Sequence, residues 1–193
     1  MQDNKIENIT PDTGLTDEAL YSNYLRTDDQ TAFRLLLERH RNEMVLFLNT
    51  ILHDMDDAED VMLDAYAVAA SGTSKYYAEK ASFKTWLFAI GRKLALMKLR
   101  KKKPITVSLE ETLPDNRNPE EELLKSERDK QLYMTLKKVK PEYSQALTLV
   151  YLEGMTIDET AVVMKKNKKQ MYKLIERGKA ALKELLTETG YFP

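Results

Sequence analysis

The chain has 193 residues, with six glycines, six prolines, no cysteine, and 30 Lys and Arg against 31 Asp and Glu. Without cysteine there are no disulfides, no thiol catalysis and no cysteine-based zinc site, a composition that fits a reducing compartment. Scarce Gly and Pro argue against a loop-rich β protein, abundant Leu, Lys, Glu, Ala and Met predict an all-α one, and no apolar run approaches the ~20 residues of a membrane span.

The net charge of −1 conceals strong segregation. His53 to Asp64 carries Asp54, Asp56, Asp57, Glu59, Asp60 and Asp64 without a cation, whereas Lys84 to Lys103 carries eight cations without an acid. Glu110 to Glu122 is acidic again, and Lys165 to Lys179 is basic with only Glu176 opposing. Alternating blocks of this kind present different faces to different partners.

In chain order, residues 1–16 read as a disordered polar tail. Met1 to Thr10 has no apolar core, so no secretory leader is expected there. Asp17 to Leu25 predicts a short helix. Asp28 and Asp29 open a longer one, with Phe33, Leu36, Leu37, Met44, Phe47, Leu48 and Ile51 at helical spacing. After a break at His53 to Met55, Asp56 is the expected start of the next helix, with Asp56 and Glu59 in capping-box spacing. Ala58, Val61, Met62, Ala65, Tyr66 and Ala69 supply its packing face, and its acids point away. Ser71 to Ser74 reads as a loop.

Ser82 is placed to cap a helix over Phe83 to Lys102 with a buried stripe of Phe83, Leu87, Ile90, Leu94 and Met97. Trp86 lies off that stripe by helical phase, which predicts partial exposure. Pro104 cannot continue the helix and closes a first domain over residues 17–103. Residues 104–121 hold three prolines among acids and read as a flexible acidic linker. A second domain, 122–188, resumes helical spacing from Glu122 to Val139 through Leu124, Leu132, Leu136 and Val139. Pro141 sits at the next helix start, and Gly154 ends that helix.

Thr156 with Glu159 forms a second capping-box pattern, opening a helix of about eight residues to Met164. A tight turn, Lys165 to Asn167, leads to a third helix, which Asn167 and Gln170 are placed to cap. Its apolar face is Met171, Leu174, Ile175, Gly178, Leu182 and Leu185. Two helices joined by a three-residue turn, the second basic at its start, describe a helix-turn-helix. In such a unit the second helix enters the major groove by its N-terminal end. Lys168, Lys169, Gln170, Tyr172, Lys173 and Arg177 are the candidate contacts, since Lys meets phosphates or guanine and Gln pairs with adenine's edge. The plainer alternative is a helical hairpin with a solvated lysine-rich face.

The run Lys84, Arg92, Lys93, Lys98 and Arg100, led by Trp86, suits DNA phosphates and unpaired bases. Its plainer alternative is dipole complementation at a helix C-terminus. The acidic helix lacks the glycine and alternating ligands of a calcium loop and is read as a protein-binding face, with a plain solvated face as the alternative. His40 and His53 are isolated, and no phosphate loop or nucleophile elbow occurs, so no catalysis, cofactor or metal is expected.

In combination these segments resemble a known family. Asp56-Asp57-Ala58-Glu59-Asp60-Val61 resembles the second conserved region of bacterial RNA polymerase sigma factors. Phe83-Lys84-Thr85-Trp86-Leu87-Phe88-Ala89-Ile90 is similar to the helix that follows it. Tyr151 to Glu159 is similar to the opening of the fourth region. Size and two-domain layout resemble the extracytoplasmic-function group of the sigma-70 family, over about residues 17–187.

The resemblance implies a cytoplasmic, non-enzymatic factor with core RNA polymerase and promoter DNA as partners. Asp57, Glu59, Asp60, Met62 and Asp64 would bind the polymerase β′ clamp. Lys84, Trp86, Arg92, Lys93, Lys98 and Arg100 would engage and melt the minus-ten element. Thr156, Lys168, Lys169, Gln170, Tyr172, Lys173 and Arg177 would read the minus-thirty-five element, with that domain also touching the β flap. An anti-sigma protein is common in such a group. Four positions depart from the family pattern: Met62 where Gln is frequent, Lys93 and Met97 where Asn and Asp are, and Lys165 where glycine often makes the turn. A turn of ordinary geometry would need no left-handed residue at Lys165. The competing reading is a stand-alone helix-turn-helix regulator, which accounts for residues 122–188 but not for the acidic and aromatic–basic helices.

Overall fold

The computed structural model describes residues 14–102, 123–124 and 126–188. The expected tail, except for residues 14–16, and the expected acidic linker lie outside the described residues. Every regular element described is helical.

The first helix, α1 (Asp17–Thr27), starts where the Thr16 side chain accepts the Ala19 N–H at 3.2 Å. Asp29 caps α2 (Gln30–Leu52) by accepting from Thr31 and Ala32. Asp28 and His53 take left-handed conformations, φ 53° and 56°, and stop the helices before them. The third helix, α3 (Met55–Ala70), begins before the expected Asp56: Asp54 is its N-cap and accepts the Asp57 N–H at 2.9 Å. Two acids, Asp54 and Asp56, compete for one capping position, and sequence spacing alone did not select the extended one.

The long helix α4 (Phe83–Lys102) follows. The Ser82 hydroxyl accepts the Thr85 N–H at 3.3 Å, as expected of a cap. Phe83 and Leu87 are buried as expected, but Met97 is 38% exposed and Phe88 and Ala95 are buried instead. The helix is covered on more than one side, so its buried face is wider than one stripe. Phe88 stacks on Phe47 with ring centroids 5.5 Å apart. A Cβ at Gly91 would run into Met44, so the missing side chain sets how closely α2 and α4 approach. Trp86 is half-buried against Tyr21 and Tyr76. Two buried tyrosine hydroxyls tie helices together: Tyr21 donates to Ala69 O at 2.9 Å and Tyr66 to Leu36 O at 3.0 Å.

The second half is α5 (Glu127–Leu136), α6 (Pro141–Leu147), α7 (Ile157–Met164) and α8 (Lys168–Glu188). Ser126 caps α5, so this helix is shorter than the expected 122–139. Pro141 occupies the first position of α6, where its missing N–H costs nothing. A π turn, Thr148–Leu152, extends α6 towards Gly154 at φ +67°. Met171, Ile175, Leu182 and Leu186 carry the buried face of α8. Gly178 lets α8 approach Leu147 and Tyr143 of α6.

The two halves pack against each other. Helix α4 lies on α7, and α2 lies on α6 and the π turn. The Tyr133 hydroxyl of α5 donates to Leu46 O at 2.9 Å and accepts from Asn49 Nδ2 at 3.1 Å, both on α2.

Candidate functional site

The acidic helix α3 shows one face to solvent and one to the core. Ala58, Val61, Met62, Ala65, Tyr66 and Ala69 are buried. Met62, expected among the partner-contacting residues, is 2% exposed: it falls on the packing phase of the helix and offers no surface. The acids around it are partly neutralised from within. Lys98 Nζ of α4 lies 2.7 Å from Asp57 Oδ1 and 3.3 Å from Asp60 Oδ2. Arg41 Nη2 of α2 lies 2.7 Å from Glu59 Oε1. Asp64 is exposed beside Leu63, an apolar side chain 54% in solvent. An exposed leucine ringed by acids is the form of a protein contact.

The cations of α4 divide among three surroundings. Lys93 and Arg100 are exposed. Lys98 turns to the acids of α3. Lys84 and Arg92 turn to the other half: Arg92 Nε donates to Gln145 Oε1 of α6 at 3.0 Å. Trp86 and Lys93 line a cleft of about 230 Å³ with Val68, Ser74, Ala89, Ile90 and Leu94. A flat aromatic and an ammonium at one cleft suit an unstacked base beside its phosphate.

The helix-turn-helix forms as its spacing predicts. Thr156 and Glu159 complete a capping box at α7. Asn167 and Gln170 complete another at α8, with both reciprocal bonds 2.9 Å long. Lys165 does not take an ordinary turn: its φ is 52°, in the left-handed region, and its N–H bonds back to Ala161 and Val162. In that conformation the Lys165 N–H satisfies carbonyls of the last turn of α7, so a lysine stands where glycine would be unstrained. Lys168, Lys169, Gln170, Tyr172, Lys173 and Arg177 are all exposed, Tyr172 by 55%. Lys168 pairs with Asp158 at 2.9 Å. The Thr156 hydroxyl is engaged in the cap.

A charged cluster that the sequence did not reveal joins the two halves. Asp17 accepts from Arg39 Nη1 at 2.8 Å and lies 2.6 Å from His40 Nε2. His40 Nδ1 lies 3.7 Å from Glu43 Oε2, an electrostatic contact too long for a hydrogen bond. Lys84 Nζ donates to Glu43 Oε2 at 2.7 Å and to Glu153 O at 3.1 Å, and lies 3.3 Å from Glu153 Oε2. The Glu153 side chain is only 2% exposed.

Burial opposes charge throughout this cluster, and the partners decide each outcome. Asp17 is held below the usual carboxylate range by His40 and Arg39 against that burial. Glu43 is held at about 2 by His40 and Lys84. His40 is raised because Asp17 and Glu43 outweigh its desolvation. Lys84 is raised by Glu153 and Glu43. Glu153 is pushed up to about 7, because burial and Glu43 outweigh the attraction of Lys84. Among the described residues no group of His, Asp and Glu is arranged to hold a metal ion.

The sequence matches two family models, Sigma-70 region 2 over residues 36–105 and Sigma-70 region 4 over residues 129–182. The chain belongs to the extracytoplasmic-function group of the sigma-70 family of RNA polymerase sigma factors. Such a sigma factor is not an enzyme; it directs RNA polymerase in promoter recognition, so core polymerase and promoter DNA are its partners. It is 28% identical over 162 residues to the ECF RNA polymerase sigma-E factor of Haemophilus influenzae, covering 78% of this chain and 84% of that one. It is 26% identical over 148 residues to the RNA polymerase sigma-H factor of Pseudomonas aeruginosa, covering 70% and 76%. The ECF RNA polymerase sigma factor SigX of Bacillus subtilis is 24% identical over 170 residues, covering 82% and 87%. The solved structure of CnrH in complex with the cytosolic domain of CnrY has the same fold, with a TM-score of 0.65 at 23% identity over 89% of this chain and 97% of that one. No helix among the described residues of this sigma factor is long and apolar enough to cross a membrane.

In this sigma factor the region 2 match covers most of α2 together with α3 and α4, and the region 4 match covers most of α5 to α8 with the helix-turn-helix. What sequence reading missed is the long-range pairing within and between the two halves. Glu43 at three residues from His40 is visible as a pattern, but Asp17 lies 23 residues from His40 and Glu153 lies 69 from Lys84. No local spacing announces such contacts.

Proposed function

We propose that this sigma factor divides its work among three surfaces. Asp57, Glu59, Asp60 and Asp64, with the exposed Leu63, bind the clamp helices of the polymerase β′ subunit. Trp86, Lys93 and Arg100, joined by Lys84, Arg92 and Lys98 once these leave their intramolecular partners, engage the minus-ten element. Lys168, Lys169, Gln170, Tyr172, Lys173 and Arg177 read the minus-thirty-five element, while their domain meets the β flap. Thr156 serves this surface by holding α7 in place.

The observation that carries the reading is the exposure of six polar and cationic side chains along the first half of α8, the second helix of a helix-turn-helix. A hairpin that only packs has no need of a solvent-facing Lys-Lys-Gln-x-Tyr-Lys surface where a groove-reading helix has its contacts. Melting requires only that capture of an unstacked base offset the lost stacking, so no nucleotide is hydrolysed by the factor. Its place of action is the cytoplasm, with its polymerase. CnrH is seen with the cytosolic domain of CnrY, and an anti-sigma protein is a further partner we assign to this chain.

The test is co-purification with core polymerase and run-off transcription on promoter-bearing fragments. Glu59→Lys with Asp60→Lys is expected to abolish polymerase binding with the helical content unchanged; undiminished binding would remove α3 from the polymerase interface. Lys169→Ala and Lys173→Ala are each expected to lower the salt dependence of promoter binding by about one unit of log–log slope while polymerase affinity holds. Tight, specific duplex binding by the free protein without polymerase would favour the stand-alone regulator.

A further inference from the structure

The cleft between the end of α3, the loop after it and the middle of α4 has the size and lining for one flat ring. Val68, Ala89, Ile90 and Leu94 make apolar walls beside Trp86, and its volume of about 230 Å³ takes a single base rather than a stacked pair. Trp86 is held in place, with its ring centroid 5.5 Å from that of Tyr21 and 5.2 Å from that of Tyr76. Tyr76 is pinned in turn, since its hydroxyl donates to Ala81 O at 3.1 Å. The aromatic wall and the loop are therefore set before anything enters. Three of the lining side chains carry a polar group: the half-buried Ser74, the indole N–H of Trp86 and the exposed Lys93. No carboxylate or amide side chain is among the lining residues.

We propose that Lys93 reads the unpaired base held in this cleft and selects guanine or thymine, which present a carbonyl oxygen on the major-groove edge, over adenine and cytosine, which present an amino group there. This names the base taken by the surface assigned above to the minus-ten element, and it rests on that assignment.

The selection follows from counting donors and acceptors. An ammonium and an indole N–H donate and cannot accept, whereas a hydroxyl does either. Guanine meets an ammonium with O6 and N7, and thymine meets it with O4 while its methyl group suits apolar walls. Cytosine turns an amino group to the same place, and adenine sets one beside its N7. Against Lys93 that amino group finds donor facing donor, and a polar group left unpaired in an apolar cleft is costly. Ser74 gives or takes a hydrogen bond and discriminates little. Lys93 is also free for the task. Lys84, Arg92 and Lys98 of the same helix hold Glu43, Gln145 and Asp57, whereas Lys93 pairs with no carboxylate among the described residues. A lysine spent on phosphate would read no base. Arg100 is exposed seven residues on, about two turns along the same face, and offers the backbone contact that leaves Lys93 to the cleft.

The test is transcription by core polymerase carrying the full chain, on a barcoded promoter library randomised across the minus-ten element, with the transcripts sequenced. One position of the element is expected to favour G or T about tenfold over A and C. Lys93→Gln brings an amide that pairs with adenine N6 and N7, and is expected to move the preference at that position, and at no other, to adenine. Lys93→Ala is expected to flatten the preference there. The side chain is exposed, so helical circular dichroism is expected to be unchanged in both variants. Base preferences identical in the wild type and both variants would overturn the proposal. So would a uniform fall in output across all sequences, the mark of a phosphate contact, or a Lys93-dependent position that favours A or C in the wild type. Selection in the minus-ten element that ignores Lys93 leaves the surface assignment standing without this inference, whereas a wild type that selects at no position there removes both.

Discussion

Thr156 lies where the helix-turn-helix begins, and its side chain has a structural task that Thr156→Ala would expose. The hydroxyl accepts the Glu159 N–H at 3.2 Å and donates to Glu159 Oε2 at 2.9 Å, and that carboxylate oxygen accepts the Thr156 N–H at 2.9 Å. Alanine removes the cap, worth about 1 kcal/mol, and a hydrogen bond to a charged group in a solvated setting, worth about 1 kcal/mol more. A loss of about 2 kcal/mol in a chain of this size lowers Tm by roughly 4–8 °C. The freed carboxylate also grips Ser82 and Thr85 less firmly, so part of the loss appears as loosening of the two halves. Thr156→Ser keeps the hydroxyl and is expected to stay within about 0.5 kcal/mol of wild type. Thermal and urea denaturation of the three proteins decide the matter. An alanine variant that melts with the wild type, or a serine variant as weak as the alanine one, would refute the capping argument and return Thr156 to the groove as a direct DNA contact.

Other outcomes follow from the same geometry. Lys165→Gly relieves left-handed strain at φ 52° and is expected to raise stability by about 0.5–1 kcal/mol in urea denaturation, after the extra chain entropy of glycine is deducted. Phe47→Ala empties a fully buried site stacked on Phe88 and is expected to cost about 3–5 kcal/mol, read from the denaturation midpoint. Because the folded pKa of His40 is raised, its contribution is complete below the ordinary imidazole value and lost as pH rises through the folded one. The urea-midpoint deficit of His40→Gln is therefore expected to be larger at pH 6 than at pH 9. Glu153 runs the same way as an acid: the folded chain holds its proton to about pH 7 while the unfolded chain releases it near the ordinary carboxylate value. Wild-type stability falls across that interval, so Glu153→Gln is expected to gain on wild type between pH 5 and pH 8.

Much of this architecture was legible because its signals are local. The cap of α2 at Asp29, the proline at the start of α6 and both capping boxes of the helix-turn-helix need only residues three or four apart, and each formed where the spacing put it. The start of α3 was misplaced by competition: Asp54 and Asp56 both have capping chemistry, and only backbone conformation chooses between them. Met97 was misread because α4 is packed on from several directions, and a single-stripe pattern describes a helix with one neighbour. Lys165 could not be read at all from residue type, since lysine has no preference for left-handed backbone and the strain is imposed by the helices on either side. The charge blocks were legible in the sequence, but not which of their charges would pair within the molecule. Met62 shows the opposite limit: a motif position suggested a contact, and helical phase buried it.

The internal pairing bears on why alternating charge blocks suit this protein. Four of the cations expected to meet DNA or to flank it, Lys84, Arg92, Lys98 and Lys168, hold a partner inside the chain, and so do Asp57, Asp60 and Glu59 on the acidic face. Binding polymerase or DNA then exchanges intramolecular pairs for intermolecular ones, and the net electrostatic gain is smaller than a count of charges suggests. Such a balance penalises binding to the wrong polyanion, because stray DNA must compete with Glu43, Glu153 and the α3 acids for the same cations. On the proposed surfaces, polymerase engaging the α3 acids would take Asp57 and Asp60 from Lys98 and leave it facing outward on the helix that would receive the minus-ten strand. Binding of one partner would then prepare the surface for the other. The coupling is testable in the isolated chain: Asp57→Asn with Asp60→Asn, which releases Lys98 without polymerase, is expected to tighten single-stranded DNA binding in low salt, and an unchanged affinity would separate the two surfaces.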